Sequence, residues 1–266
     1  MRLPTGIFGL DDLIGGGFVK NTVNTILGSA GTGKTIFSIQ FLLEGLERGE
    51  KCVYVSFDLD REDFEKVANY MGWNISKYIE SGQLRIGKFH VENLSYLSSE
   101  VLEFILSTSE RNLRIAIDSF TPLIAAIDYT SRAQVGWFFK NLREVGTSIV
   151  TLEEPFDGGL SDPSITIPLF LADSIIHIKN IGYGEQFSRT IRIVKHRFSW
   201  HAEGIYPYSI IEGVGIVIEN KREEGFEDER INDLNISELA KRKLSKLVEK
   251  GVITKEDVEK VVRRLT

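Results

Sequence analysis

One octapeptide constrains this chain more than anything else in it. Gly28-Ser29-Ala30-Gly31-Thr32-Gly33-Lys34-Thr35 has the spacing G-x-x-x-x-G-K-[ST]. Before it runs Val23-Asn24-Thr25-Ile26-Leu27, a short β-rich stretch. After it, from Thr35, the apolar residues Ile39, Leu42, Leu43 and Leu46 recur at i, i+3, i+4 and i+7, the period of one helix face. A strand that turns into a helix through glycines lets successive backbone N–H groups curl around phosphate oxygens, and the helix N-terminus adds partial positive charge. Lys34 suits the β- and γ-phosphates of a bound nucleotide, and the Thr35 hydroxyl suits Mg²⁺. All eight residues are expected to form the nucleotide site.

The rest of the chain alternates in a way that predicts an α/β fold. Gly49 closes the first helix. Cys52 to Phe57, Leu84 to Phe89, Arg114 to Asp118 and Thr147 to Leu152 read as strands. Helices are expected at about Arg61 to Met71, Leu97 to Ser109 and Arg132 to Val145. Such alternation implies a mostly parallel twisted sheet flanked by helices. Beyond Leu152 the pattern changes. Pro155 to Pro168, with three prolines, reads as a loop. Ile175 to Lys179 and Thr190 to Lys195 read as a hairpin about Gly182-Tyr183-Gly184. Shorter strands are expected at Tyr208 to Ile211 and Val214 to Ile218.

Lys221 to Asn235 is polar and acidic, so it reads as a solvated linker. A small helical hairpin follows, with Leu244, Leu247 and Val248 on its first helix. Thr254 and Asp257 form a capping box for the second, which carries Val258, Val261, Val262 and Leu265. The expected organisation is a nucleotide domain over 1–220, a linker over 221–235 and a helical tail over 236–266.

Composition excludes several classes. With 42% hydrophobic and 26% charged residues in 266, the chain is no disordered polymer. Its single cysteine, Cys52, excludes an internal disulfide and a cysteine-based zinc cluster. No run of about 18 apolar residues is present, and none follows Arg2. Neither a membrane span nor a signal peptide is expected, and the setting is expected to be cytoplasmic. A formal charge of -6 argues against a protein held to nucleic acid by net charge.

A triphosphate site also needs a carboxylate for its metal. Arg114-Ile115-Ala116-Ile117-Asp118-Ser119 ends an apolar strand on an acid, so Asp118 is expected to hold Mg²⁺ through water. Hydrolysis needs a further group to orient and deprotonate the attacking water. Asp58, just past the strand from Cys52, is the candidate, with Asp60 two residues on. A parallel sheet brings such strand ends beside the phosphate loop. The alternative is that one of these aspartates caps the next helix.

With these pieces placed, the chain resembles the KaiC-like branch of the RecA superfamily of ATPases. Leu3-Pro4-Thr5-Gly6-Ile7, Gly9-Leu10-Asp11 and Leu13-Ile14-Gly15-Gly16-Gly17 are similar to the family's opening segment. Thr35 to Arg48, Val53 to Phe57 and Met71-Gly72-Trp73 continue the likeness. Later, Gly184-Glu185, Ser188-Arg189 and Lys195-His196-Arg197-Phe198-Ser199-Trp200-His201 resemble the family's K-x-R-x-x-x-H segment. The likeness runs from about Leu3 to Ile218.

The resemblance implies a RecA-like P-loop NTPase fold with a C-terminal β-hairpin region. It implies a Mg²⁺-dependent ATPase in a homo-oligomeric ring, a hexamer in the family, acting as a nucleotide-state switch. It also implies that Lys195 and Arg197 act catalytically beside Lys34 and Asp58, reaching the γ-phosphate held by a neighbouring subunit. A cation supplied in trans is worth about 10³–10⁵ in rate. Thr151 and Glu153 resemble the polar strand end that senses the phosphate, and His201 matches by position.

Three departures sharpen the expectation. The family often carries two adjacent glutamates where this chain has Asp58-Leu59, and a displacement of about 1 Å at a reacting group costs on the order of 100-fold. Hydrolysis is therefore expected to be slow, and a non-hydrolysing ATP sensor is the alternative. The clock members' autophosphorylated Ser-Thr pair falls here on Leu169 and Phe170, and their tandem ATPase domains are here one, so autokinase activity is not expected. Finally, the loops Thr121 to Arg132 and Glu153 to Pro168 carry too few cations to grip DNA. A recombinase-paralogue accessory protein that binds single-stranded DNA would have to use Lys179, Arg189 and Arg192, or the basic residues of the tail.

Overall fold

A computed structural model describes residues 1–90, 94–108, 112–124, 132–155, 161–182, 189–220 and 227–265. Positions 125–131 and 156–160 of the two candidate DNA-facing loops, 183–188 of the hairpin turn and 221–226 of the acidic stretch lie outside these.

Strands β1 (Arg2–Leu3) and β2 (Phe18–Val19) pair as a small ribbon around helix α1 (Leu10–Leu13). The alternating core follows: β3 (Val23–Gly28), α2 (Lys34–Glu47), β4 (Cys52–Ser56), α3 (Arg61–Tyr70), α4 (Ser76–Glu80) and β5 (Leu84–Lys88). It continues through α5 (Leu94–Leu106), β6 (Leu113–Asp118), α6 (Thr121–Ile124), α7 (Arg132–Val145) and β7 (Gly146–Glu153). Then come α8 (Pro163–Leu171), β8 (Ser174–Asn180), β9 (Arg189–His196), β10 (Ile205–Ile211) and β11 (Gly215–Ile218). A 3₁₀ turn (Glu229–Asp233) precedes α9 (Glu238–Glu249) and α10 (Lys255–Leu265).

Every residue of β3, β4 and β6 is buried, the pattern of strands covered on both faces. In the nine-stranded sheet the order is β11-β10-β9-β8-β3-β7-β6-β4-β5, parallel from β8 to β5 and antiparallel from β9 to β11. Because β3 and β4 are separated by β7 and β6, the C-terminal ends of these four strands stand in a row. That row is where an open α/β sheet holds its ligand.

One apolar core packs α2 onto one face of the sheet through Ile39, Leu42, Leu43 and Leu46, and a second packs α7 onto the other through Val135, Phe138, Phe139 and Leu142. Both are as the helical periods predicted. The segment expected as a loop to Pro168 is in part the helix α8, which is a correction. Asp162 caps it, accepting from the Ser164 amide at 2.7 Å, and Pro163 occupies the first turn, where its missing N–H is harmless.

At the C-terminus, Thr254 and Asp257 exchange the expected capping bonds, at 3.1 and 3.2 Å. Ile231, Leu234, Leu244 and Val258 join Phe8, Ile211 and Val217 in a third apolar cluster. Ion pairs reinforce it: Lys260 Nζ lies 2.8 Å from Glu44 and Arg264 Nε 2.8 Å from Glu47, both on the far end of α2. Among the described residues no helix is long and apolar enough to cross a membrane.

Candidate functional site

The turn from β3 into α2 works only with small, permissive residues. Gly33 caps α2 at φ 96°, in the left-handed region, and a Cβ there would meet Ile210 Cδ1 at 2.7 Å. At Gly28 a Cβ would press on the Ile178 carbonyl oxygen, also at 2.7 Å. The loop braces itself, since the Thr32 hydroxyl donates to the Ser29 carbonyl at 2.8 Å. Tyr208 on β10 donates to the Thr32 carbonyl from outside. Lys34 Nζ donates to the carbonyls of Gly28 and Ser29 at 2.9 and 3.0 Å. Burial lowers the pKa of this ammonium, while the charges of Glu153 and Asp118 oppose the shift.

Asp118 ends β6 and is held from both sides. The Tyr54 phenol donates to Oδ2 at 3.0 Å and the Thr151 hydroxyl to Oδ1 at 2.6 Å. Burial first, and then the Asp118 charge, push the Tyr54 phenol well above its ordinary pKa, so it stays a donor. Beside it Ser119 Oγ is buried without a hydrogen-bond partner among the described residues. Asp58 follows β4 and is exposed. The Ser56 hydroxyl accepts from the amides of Asp58 and Leu59 at 3.2 and 2.9 Å, which turns the chain there. Capping of α3 falls to Asp60, which accepts from the Asp63 amide at 2.9 Å, so Asp58 is not used as a cap.

These parts meet in one crevice of about 570 Å³, lined by Gly31, Lys34, Thr35, Asp58 and Asp118 together with Glu153. A larger cleft of about 740 Å³ lies between the N-terminal segment and α10, away from the phosphate loop. Arg189 also lines the smaller crevice, its Nε buried without a partner among the described residues. In the sequence it is one of the hairpin cations that a single-stranded DNA-binding alternative would have to use. Its register adds a second placement: Arg189 pairs with Asn180 at the end of β8, level with the phosphate loop. An antiparallel return strand puts its first residue where a parallel strand puts its last, and that rule was available from the hairpin alone.

Lys195 and Arg197 are not brought to this crevice. Lys195 pairs with Ile175, which sits beside Thr25 toward the opposite end of β3. Its Nζ donates to the carbonyls of Leu169, Phe170 and Ala172 at the end of α8. Burial and then the Arg197 charge lower its pKa to about 8. Arg197 donates to the Phe170 carbonyl at 3.4 Å and approaches Asp173 at 3.9 Å. His201 is half-buried, with Nδ1 3.1 Å from the Ala202 carbonyl.

Among the described residues no three His, Cys, Asp or Glu side chains group as a metal cage. The donors present, one threonine hydroxyl and one oriented aspartate, fit a Mg²⁺ that brings phosphate oxygens with it. The Ser119 hydroxyl beside Asp118, unpartnered among the described residues, would offer a bound Mg²⁺ a further oxygen.

Several known proteins are similar to this chain. The circadian clock oscillator protein KaiC of Synechococcus elongatus is 30% identical over 232 residues, 81% of this chain and 44% of that protein. The KaiC of Thermosynechococcus vestitus is 28% identical over 231 residues, with the same coverage. The chain thus spans less than half the length of these curated relatives. Among solved structures, a KaiC-like protein from the hyperthermophilic archaeon Pyrococcus horikoshii matches with a TM-score of 0.70 and 28% identity, over 83% of this chain and 99% of that one. The family model described as "ATPase: KaiC" matches residues 3–223, most of the chain and all of the crevice described above, and the chain belongs to that family.

Proposed function

We propose that the protein is a cytoplasmic Mg²⁺-dependent ATPase of low turnover that works as a homo-oligomeric ring and changes conformation with its nucleotide. The observation that carries this reading is the crevice that gathers Lys34, Thr35, Asp58 and Asp118 along the row of strand ends from β3 to β4. Backbone amides of residues 28–35 hold the triphosphate, Lys34 neutralises its β/γ end, and Thr35 and Asp118 hold the metal. Asp58 orients the water. Metal-bound phosphate oxygens withdraw charge from the phosphorus under attack.

The position of Lys195 and Arg197 supports the ring. They lie too far along the sheet to serve their own phosphate loop, so any phosphate they meet belongs to a second copy. Lys195 must first leave the α8 carbonyls it now caps, which makes Arg197, only half covered, the readier cation.

Phosphate release in a single turnover, run beside light scattering with and without ATP, tests both halves. Release with ATP-dependent assembly supports the reading. Binding without release reduces the protein to an ATP sensor, and a monomer that hydrolyses at full rate removes the trans role of Lys195 and Arg197.

A further inference from the structure

Three carboxylates line the crevice, and they differ in how they are held. Asp118 has both oxygens engaged by Tyr54 and Thr151. Asp58 and Glu153 are exposed, and neither side chain enters a hydrogen bond or ion pair among the described residues. Sheet order puts them on either side of Asp118, Glu153 at the end of β7 and Asp58 just past the end of β4. Two strand spacings separate their backbones by roughly 10 Å, which two side chains reaching inward span with one water between them.

Glu153 is fixed where this requires. It is level with Gly28 of the phosphate loop, and its amide donates to the Thr121 hydroxyl at 3.0 Å. Its charge is felt by Lys34, so it stands within reach of the group that marks the γ-phosphate. On the other wall, the residue next to Asp58 is Leu59, which offers the water no hydrogen bond.

We propose that Glu153 is the second carboxylate of the hydrolytic step, holding the attacking water from the wall opposite Asp58. The inference rests on the ATPase reading above. The water oxygen bonds to the γ-phosphorus as the bond from that phosphorus to the β,γ-bridging oxygen breaks, and the bonding pair leaves with ADP. The proton lost by the water passes to the carboxylate pair and from there to the released phosphate. One carboxylate accepts the proton while the other accepts the second O–H, which keeps a lone pair of the water aimed at phosphorus.

The test compares wild type with Glu153→Gln, Glu153→Asp and Asp58→Asn, using phosphate release from ATP·Mg²⁺ and calorimetric titration of a non-hydrolysable ATP analogue. Glu153→Gln is expected to lower kcat about 100-fold while analogue affinity holds or tightens, since a negative charge near the triphosphate has gone. Glu153→Asp is expected to recover part of the rate. The Asp58→Asn, Glu153→Gln double variant is expected to be no slower than about threefold below the slower single, because both groups serve one water. Wild-type kcat in Glu153→Gln overturns the inference, as does weakened analogue binding with kcat intact, which would make Glu153 only a partner that orders Lys34. A wild type that binds the analogue but releases no phosphate overturns the ATPase reading itself, and the wild-type arm alone reveals it.

Discussion

Glu44 lies on the helix that follows the phosphate loop and Glu153 ends the strand paired beside that loop, and the fold treats these two glutamates in opposite ways. Glu44 lies on α2 with a side chain only 1% exposed, ringed by Arg48 at 2.7 Å, Lys260 at 2.8 Å and Arg264 at 3.3 Å. Burial by itself would raise its pKa, but these cations together hold it at about 2. Glu153 and Asp58 sit exposed at the strand ends with no such company among the described residues. A buried charge must be compensated by its own chain, and once compensated it fixes geometry. A charge left uncompensated at the mouth of a crevice is available to a ligand, a metal-bound water or a proton.

The comparison breaks if the two regions respond alike to substitution. Arg264→Met, which strips a fully buried partner from Glu44 and Glu47, is expected to remove about 3–5 kcal/mol in chemical denaturation while leaving ATPase turnover per folded molecule unchanged. A loss below about 1 kcal/mol would mean that the tail cations are ornamental. Asp58→Asn should do the reverse, lowering kcat about 100-fold, about 2.7 kcal/mol of barrier, with the denaturation midpoint unmoved.

Acid sharpens the same contrast. A carboxylate whose pKa is lower in the folded state stabilises the fold above its unfolded value and loses that contribution as the pH falls. For Glu44 the window runs from 4.5 down to about 2 and holds roughly 3 kcal/mol. Stability should therefore decline steeply across that interval in wild type and less so in Arg264→Met, as followed by denaturant midpoints at stepped pH. The smallest effect belongs to the solvated pair Lys66–Asp63, at 2.9 Å on the surface of α3. Lys66→Ala should leave both midpoint and turnover where they were.

How much of this was legible in the sequence follows the same division. The phosphate loop, Asp118 and the parallel core were readable because each is local: glycine spacing, an acid ending an apolar strand, a helical period. Asp58 was ambiguous with Asp60, since both stand before a helix. Only the bond from the Asp63 amide assigned the cap to Asp60. Helix α8 was missed because three prolines outweighed the Asp162-Pro163 start signal, although proline is at ease in a first turn. The place of Arg189 in the crevice was not foreseen because it depends on hairpin register, a long-range property. The grip of the tail on α2 was likewise invisible, because Lys260 and Arg264 meet Glu44 across more than 200 residues of chain. A charged helix face shows no sign in sequence of which charges will be covered.

The account depends most on main-chain amides and one lysine grasping a triphosphate. Calorimetric titration of ATP with Mg²⁺ into the wild type and into Lys34→Ala tests that directly. The account predicts one saturable site per chain in the wild type and affinity weakened about 100-fold in the variant, the worth of a lost charge-assisted contact. No heat of binding in folded wild type, or equal affinity in the two proteins, would contradict it.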